Sequence, residues 1–362
     1  MNRIIIILDS YMYKRKEEQL KKTLEPLCVP ALYYTDYENA LHRFFQGVKG
    51  AGNILSHVSG WISAFYAAAK IFAGREKYDW KLFVNPIVGY FYCLLLSSFG
   101  RKNENVIISG FIFEQKRSSL YFSIRKKLVS YAFKSARKLI VYSTIEVRQY
   151  SRIFPQLEDK FVFVRYGRDF DIFEKNEFLT NDSYFASGGG SNRNFDTLVE
   201  AMEKLEAGNP EIKCKIATRP HDYDIDVKPG NLYIHHDIRV DRFGSFLEKS
   251  LFVVIPLRDN DISAGHMSLL ESMHKGKVVI ITDVPSVRDY VDEEQVFFYK
   301  SSDSDDLAAK IEYVFTNLDN DKVREKARAA KSAYDKTYGF GSFIERLVRE
   351  CVQTVKEGEG PG

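Results

Sequence analysis

The sequence predicts an α/β protein built from two doubly wound domains in tandem, each a mostly parallel sheet covered by helices. Three observations carry that expectation. The chain has 362 residues, more than one hydrophobic core usually organises. Short β-branched runs alternate with longer helical patterns along nearly its whole length, the rhythm of parallel strands joined by crossover helices. A polar stretch at 169–182, rich in Asn, Asp and Glu, interrupts that rhythm, which then restarts.

In the first half, strands are expected at 4–8, Val29–Tyr34, 82–84, 106–108, 139–142 and 161–164, with helices in the gaps. The apolar segments 61–72 and 87–99 read as buried helices, because neither is an uninterrupted run of the roughly 18 residues needed to cross a bilayer. Second-half strands are expected at 184–187, 212–217, 232–234, 252–255, 278–281 and 296–299. Residues 302–356 read as helical, with Ser302 or Asp303 as the cap and Gly339 and Gly341 as breaks. The expected domains are 1–168, 169–340, and a closing helix from 341 that packs back on the first domain before a disordered tail. No repeat of solenoid period is present.

Composition narrows the class. With 45% hydrophobic and 28% charged residues the chain is neither disordered nor collagenous. Cys28, Cys93, Cys214 and Cys351 are too scattered for a zinc or redox motif, which points to a reduced cytoplasm. The apolar run 4–8 is too short for a signal peptide and reads as a first strand. The net charge is only +3, but residues 114–168 hold 13 Lys/Arg against 4 Asp/Glu, so the first domain is the basic one.

Ligands of doubly wound sheets bind outside the carboxyl ends of the strands, which directs attention to two loops. After the strand at 184–187 come Gly188, Gly189 and Gly190, then Arg193, then a helix. Glycines let backbone amides approach a phosphate, and a helix start favours an anion. A tight turn beside a solvated arginine is the bland alternative. The loop lacks the Lys-Ser/Thr ending of the ATP-binding phosphate loop.

After the strand at 252–255, small residues Ser263, Ala264 and Gly265 precede His266, Ser268, Leu269 and Glu271 on an expected helix. Its first amides would suit a pyrophosphate, and Glu271, about one and a half turns in, would accept from ribose hydroxyls. An exposed glutamate favoured by the helix dipole is the alternative for Glu271, and a packed histidine for His266.

These motifs resemble those of GT-B glycosyltransferases, in particular the glycosyltransferase family 4 group, clearly over 139–291 and diffusely before that. The pieces 139–143 and 164–169 are similar to two first-domain elements of the family, and the loop 188–202 to its glycine-rich loop with a basic residue, here Arg193. The stretch Glu271-Ser272-Met273-His274-Lys275-Gly276-Lys277-Val278-Val279 is similar to the family's second-glutamate motif. Of the family's Glu-x7-Glu pair the first position is Ser263 here, which puts donor-sugar identity and stereochemical outcome in question.

The resemblance implies a GT-B fold of two Rossmann-like domains and a metal-independent hexosyl transfer from a nucleotide-sugar donor, UDP ahead of GDP, with no other cofactor. The acceptor would be a carbohydrate or lipid-linked glycan, in bacterial surface polysaccharide synthesis. It further implies donor contacts from Gly188, Gly189, Gly190, Arg193, Ser263, Ala264, Gly265, His266, Ser268, Leu269 and Glu271, with His236 and Ile238 near the base. Arg219 would supply a second positive charge, or else be a surface arginine. Arg193 and His266 would act on the diphosphate or sugar. The family's cleft histidine is absent; Glu114 is the best-placed general base, unless it only pairs with Lys116 or Arg117. Asp9 and Tyr11 follow the first strand towards the same edge. The acidic residues Asp222, Asp224 and Asp226 alternate like metal ligands but read as a solvated loop.

Residues 118–138 interleave apolar side chains with Arg125, Lys126, Lys127, Lys134 and Arg137. Such a helix would lie on an anionic membrane as a peripheral contact, or pack its apolar face in the core. No nucleic-acid module accompanies it. Two further readings stay open: a GT-B relative such as a sugar-nucleotide epimerase or a phosphorylase, and a catalytically silent nucleotide-sugar-binding module.

Overall fold

The computed structural model describes residues 1–8, 11–35, 52–101, 104–113, 119–172, 176–220, 222–225, 228–260 and 262–358. It divides into two compact units, Met1–Val164 with Ile344–Gly362, and Arg165–Phe343.

The first unit holds strands β1 (Arg3–Leu8), β2 (Val29–Tyr34), β3 (Trp80–Phe83), β4 (Val106–Ser109), β5 (Lys138–Val141) and β6 (Phe161–Phe163). All pair in parallel, in the order β2-β1-β3-β4-β5-β6. Its described α-helices are α1 (Glu17–Leu24), α2 (Gly52–Ala73), α3 (Pro86–Ser98), α4 (Ser119–Phe133) and α5 (Thr144–Ile153). The inner strands β1, β3, β4 and β5 are largely buried on both faces, as near-continuous runs such as Ile4 to Leu8 require. Phe111, Phe113, Tyr150, Phe154 and Phe161 fill the core on one side, mostly edge to face.

The second unit holds β7 (Phe185–Gly188), β8 (Cys214–Ala217), β9 (Leu232–His235), β10 (Val253–Ile255), β11 (Val279–Thr282) and β12 (Phe297–Tyr299), again parallel, in the order β12-β11-β10-β7-β8-β9. The chain runs outward one way from β7 and the other way from β10, so the sheet reverses between these two strands. That is where such folds bind ligands. Its described α-helices are α6 (Phe195–Glu206), α7 (Val240–Glu248), α8 (His266–His274), the short α9 (Pro285–Arg288), α10 (Ser304–Thr316) and α11 (Asp321–Thr337), and a last helix, α12 (Phe340–Gly358), begins in this unit and continues in the first.

All twelve expected strands are present within two residues of their expected positions. Several boundaries differ. The units divide after Val164, four residues before the expected 168, because the next residues are tied into the second unit. Arg165 Nε donates to Asp289 O (2.7 Å), the Tyr166 amide to Tyr290 Oη (2.8 Å) and the Arg168 amide to Tyr338 O (2.9 Å). The closing helix starts at Phe340, and the portion from Ile344 is grouped with the first unit, where Lys138 pairs with Glu350 at 2.9 Å. Asp303, of the two expected caps, accepts from the amides of Asp305 and Asp306. Gly341 lies inside α12 and breaks nothing, whereas a break at 317–320, with Asn320 capping α11, was not expected.

The expectation that 61–72 is a buried helix is corrected. In α2, Ala64 and Ala68 face the core while Val58, Trp61, Ile62, Phe65 and Tyr66 are exposed. No described helix is long and apolar enough to cross a membrane.

Candidate functional site

The two loops singled out by the sequence leave β7 and β10, the strands that border the reversal of the second sheet. They are zipped together by one antiparallel bridge, Arg193 with Leu257. The Asn194 amide donates to Pro256 O (3.0 Å) and the Arg258 amide to Asn192 O (3.1 Å). Asn192 adopts a positive φ of 55° to make that turn, and its side-chain amide donates to Arg258 O (3.1 Å).

Arg193 is buried, with 8% of its surface exposed. Its guanidinium donates from Nε to Gly188 O (2.8 Å), from Nη1 to Ser191 O (2.9 Å) and from Nη2 to Ser268 Oγ (3.0 Å). Burial pushes its pKa down to about 10, which leaves it cationic at neutral pH. All three acceptors are neutral, so the positive charge is held in the interior without an ion pair among these partners. A buried cation of that kind calls for an anion.

The glycines make room for it. Gly189 has φ +108°, and a Cβ there would lie 2.5 Å from Arg193 Nη2. A Cβ at Gly188 would meet Ala217 O at 2.7 Å, and one at Gly190 would collide with the Asp222 carboxylate. The same hypothetical atom at Gly190 is 3.1 Å from Arg219 Nη2, so Arg219 stands beside the glycine loop, paired through Nε to Asp222 at 2.6 Å and largely exposed.

Ser268, the partner of Arg193, lies in the first turn of α8. This helix begins after Gly265, whose φ of +80° is left-handed and which has no side chain to cap the first amides. A Cβ at Gly265 would meet Leu257 Cδ2 at 2.9 Å. The start of α8 is therefore an uncapped set of N–H donors beside a buried guanidinium.

His266 is packed rather than open. Its ring sits 4.2 Å from that of Tyr290, centroid to centroid, and Nε2 lies 3.1 Å from Ser286 O. A carbonyl only accepts, so Nε2 carries the hydrogen. Burial drives the pKa of His266 down to about 4, against smaller raising effects of Ser286 and Asp289 and a further lowering by Arg193. The ring is neutral at physiological pH.

Glu271 is buried, and its charge is one of several that raise the Tyr334 phenol beyond the effect of burial. Ala264 is buried and Ser263 half-buried in the approach to the helix. Leu269 takes a different part from the one expected of a donor contact: its amide closes the first helical turn on Gly265 O (2.9 Å) and its side chain lies in the core. His236 and Ile238 follow β9 at the same sheet edge, where His236 Nδ1 donates to Thr218 O (3.0 Å). Thr218 in turn donates to Gly189 O (3.0 Å), which links that region to the glycine loop.

Glu114, Asp9 and Asp226 lie outside the described residues, as does the side chain of Tyr11. Among the described residues no group of three or more His, Cys, Asp or Glu is arranged to hold a metal. Sequence reasoning missed Arg258, whose Nε donates to Arg193 O (3.0 Å) and whose Nη2 lies 3.6 Å from Asp196. Its partners are more than sixty positions away, so no local signal marks it.

Residues 184–317, within the second unit, match the family described as "Glycosyl transferases group 1". No curated protein matches the chain in sequence. Among solved structures it is similar to a glycosyltransferase from Rickettsia africae (14% identity, TM-score 0.59, 100% of this chain and 99% of the other). It is also similar to sucrose-phosphate synthase from Thermosynechococcus elongatus (12%, 0.63, 99% and 100%). A third is HepE of Anabaena in complex with UDP-glucose (10%, 0.58, 98% and 100%). At such identities the likeness shows the fold, which is GT-B: two Rossmann-like domains, each with a parallel six-stranded sheet.

Proposed function

We propose that the protein moves a sugar from a nucleoside-diphosphate donor to a carbohydrate or lipid-linked glycan acceptor. The setting is bacterial surface polysaccharide synthesis, at the cytoplasmic side of a membrane and in peripheral contact with it. The observation that carries this reading is the buried guanidinium of Arg193 held against the first turn of α8, which starts on a bare glycine.

When the bond between the anomeric carbon and the diphosphate oxygen breaks, negative charge grows on the departing phosphate. Donors already aimed at that position stabilise the transition state without reorganising. Arg193 and the first amides of α8 are such donors, and they act without a metal. Arg219 adds charge from the exposed side of the glycine loop, and Glu271 accepts from the ribose hydroxyls. His266, neutral and bonded to Ser286, holds the helix start in place. Ser263, where the resemblance expects a glutamate, hands contact with the donor sugar to other groups, and Glu114 is the proposed base for the acceptor hydroxyl. UDP is preferred to GDP, in line with the UDP-glucose held by HepE, a protein of the same fold.

A panel of nucleotides and nucleotide sugars tests the reading by thermal shift. UDP or a UDP-sugar should raise the melting temperature by mass action, and Glu271→Ala should abolish the rise. Slow hydrolysis of one nucleotide sugar distinguishes a transferase from a silent binding module, the reading that Ser263 would favour. Absence of any nucleotide-dependent shift sinks both.

A further inference from the structure

An apolar slot opens in the first unit between α2, α3 and α4. Its volume is 580 Å³, within the range of about 300–1,000 Å³ typical of small-molecule sites. Trp61, Phe91, Phe113, Ile124 and Leu128 line it, and among the described residues Arg125 is its one charged lining residue. One wall is the segment from Gly110 to Phe113, which leaves the carboxyl end of β4. That is the edge at which doubly wound sheets receive ligands.

The mouth of the slot is itself apolar. Along α4 the exposed side chains include Leu120, Tyr121, Ile124, Leu128 and Tyr131, while Phe122 and Val129 pack on the core. The face that a core helix would hide is thus turned out, and α2 contributes exposed Trp61 and Phe65 beside Phe91. Contiguous exposed apolar surface of this kind marks a binding site. Charge supplies the other half of the argument. Helix α2 carries one basic residue, α3 none and α4 three, and none of the three carries an acidic one. The Arg125 guanidinium lies 4.4 Å from the centre of the Phe113 ring, against the apolar lining.

We infer that this slot takes the hydrocarbon tail of a single-chain lipid phosphate, with the phosphate towards Arg125, Lys126 and Lys127. This deepens the proposed function, on which it rests: the acceptor is a glycan or sugar carried on such a lipid. The apolar lining takes the chain, and the cation-only helices take the anionic head.

Two tryptophans make the test direct. Trp61 lies in the slot, 57% exposed, and Trp80 is buried in β3. Monomeric octyl, decyl and dodecyl phosphate, each below its micelle concentration, should shift Trp61 emission to the blue. Affinity should rise about fourfold per methylene, the value of burying one CH₂. Trp61→Phe should remove the signal. Leu128→Asp, at an exposed position, should weaken binding at least tenfold, and Arg125→Gln should weaken the phosphates relative to the matching alcohols. Thermal stabilisation by UDP should persist in all three variants, so a failure here separates from a failure of the donor site. The inference is overturned if the response does not depend on chain length. It is also overturned if only anionic vesicles elicit a response, which would make the face a bilayer-binding surface, or if sedimentation shows the face closed by a second copy.

Discussion

In the first unit α3 follows β3, in the second α8 follows β10, and each of these strands borders the reversal point of its sheet. The two helix starts are nevertheless built on opposite principles. Helix α3 begins with Pro86, which has no N–H, and Asn85 Oδ1 accepts from the amides of Ile87 (2.9 Å) and Val88 (3.2 Å). Its donors are satisfied by its own chain. Helix α8 begins after Gly265, with no side-chain cap, and beside it the chain buries the Arg193 cation on neutral acceptors. The comparison teaches that one helix start is closed by its own chain while the other is left open, a state that favours a negatively charged group beside it. The same contrast runs through the glycine turns: Gly110 leads into Phe111, Ile112 and Phe113, whereas Gly189 cradles a guanidinium.

The sharpest way to break the contrast is Arg193→Ala. Turnover should fall about 10²–10³-fold, the scale for losing one donor to a developing oxyanion, and thermal stabilisation by UDP should vanish. Full activity in this variant would show that the buried cation serves only the fold.

A smaller effect comes through His266. Its folded-state pKa of about 4 lies below the ordinary 6.5, so between those values the unfolded chain binds a proton that the folded chain does not. Stability is therefore complete above about pH 6.5 and declines as pH falls towards 4, by on the order of 3 kcal/mol. Urea melts at pH 7 and pH 5 should show about 2 kcal/mol of this loss in the wild type, and less of it in His266→Gln, which keeps a donor for Ser286. Equal acid sensitivity in both proteins would mean that His266 does not titrate as its burial implies.

The smallest expected effects form a reciprocal pair. Asn85→Ala should lower stability by about 1 kcal/mol and leave UDP binding untouched. Gly265→Asp should place a competing oxygen at the open helix start, on a backbone that disfavours side chains by about 1–2 kcal/mol, and weaken UDP about tenfold by calorimetry. If the two variants swapped phenotypes, the distinction between closed and open helix starts would be lost.

Much of the architecture was legible because its signals are local. A run such as Ile4 to Leu8 flanked by polar residues declares a buried parallel strand, and all twelve strands stand where such runs occur. The glycine loop and the helix carrying Glu271 were readable for the same reason. Two features were not. An apolar stripe of helical period looks the same whether it meets a core or is left open, so Trp61 and Phe65 read as buried and stand exposed, and for Ile124 and Leu128, which also stand exposed, the sequence left both readings open. Gly341 read as a break because glycine weakens helices, yet it continues α12.

What the sequence determined by itself, then, is the order of strands and helices and the residue types at each loop, since both follow from near-neighbour pattern and backbone preference. What only the tertiary structure decided is which of those residues share an environment. Arg193 becomes a buried charge held on neutral acceptors because Ser268, seventy-five positions later, is carried to it by the crossover from β7 to β10. Desolvation depends on everything packed around a group, and that sum over distant neighbours is written nowhere along the chain.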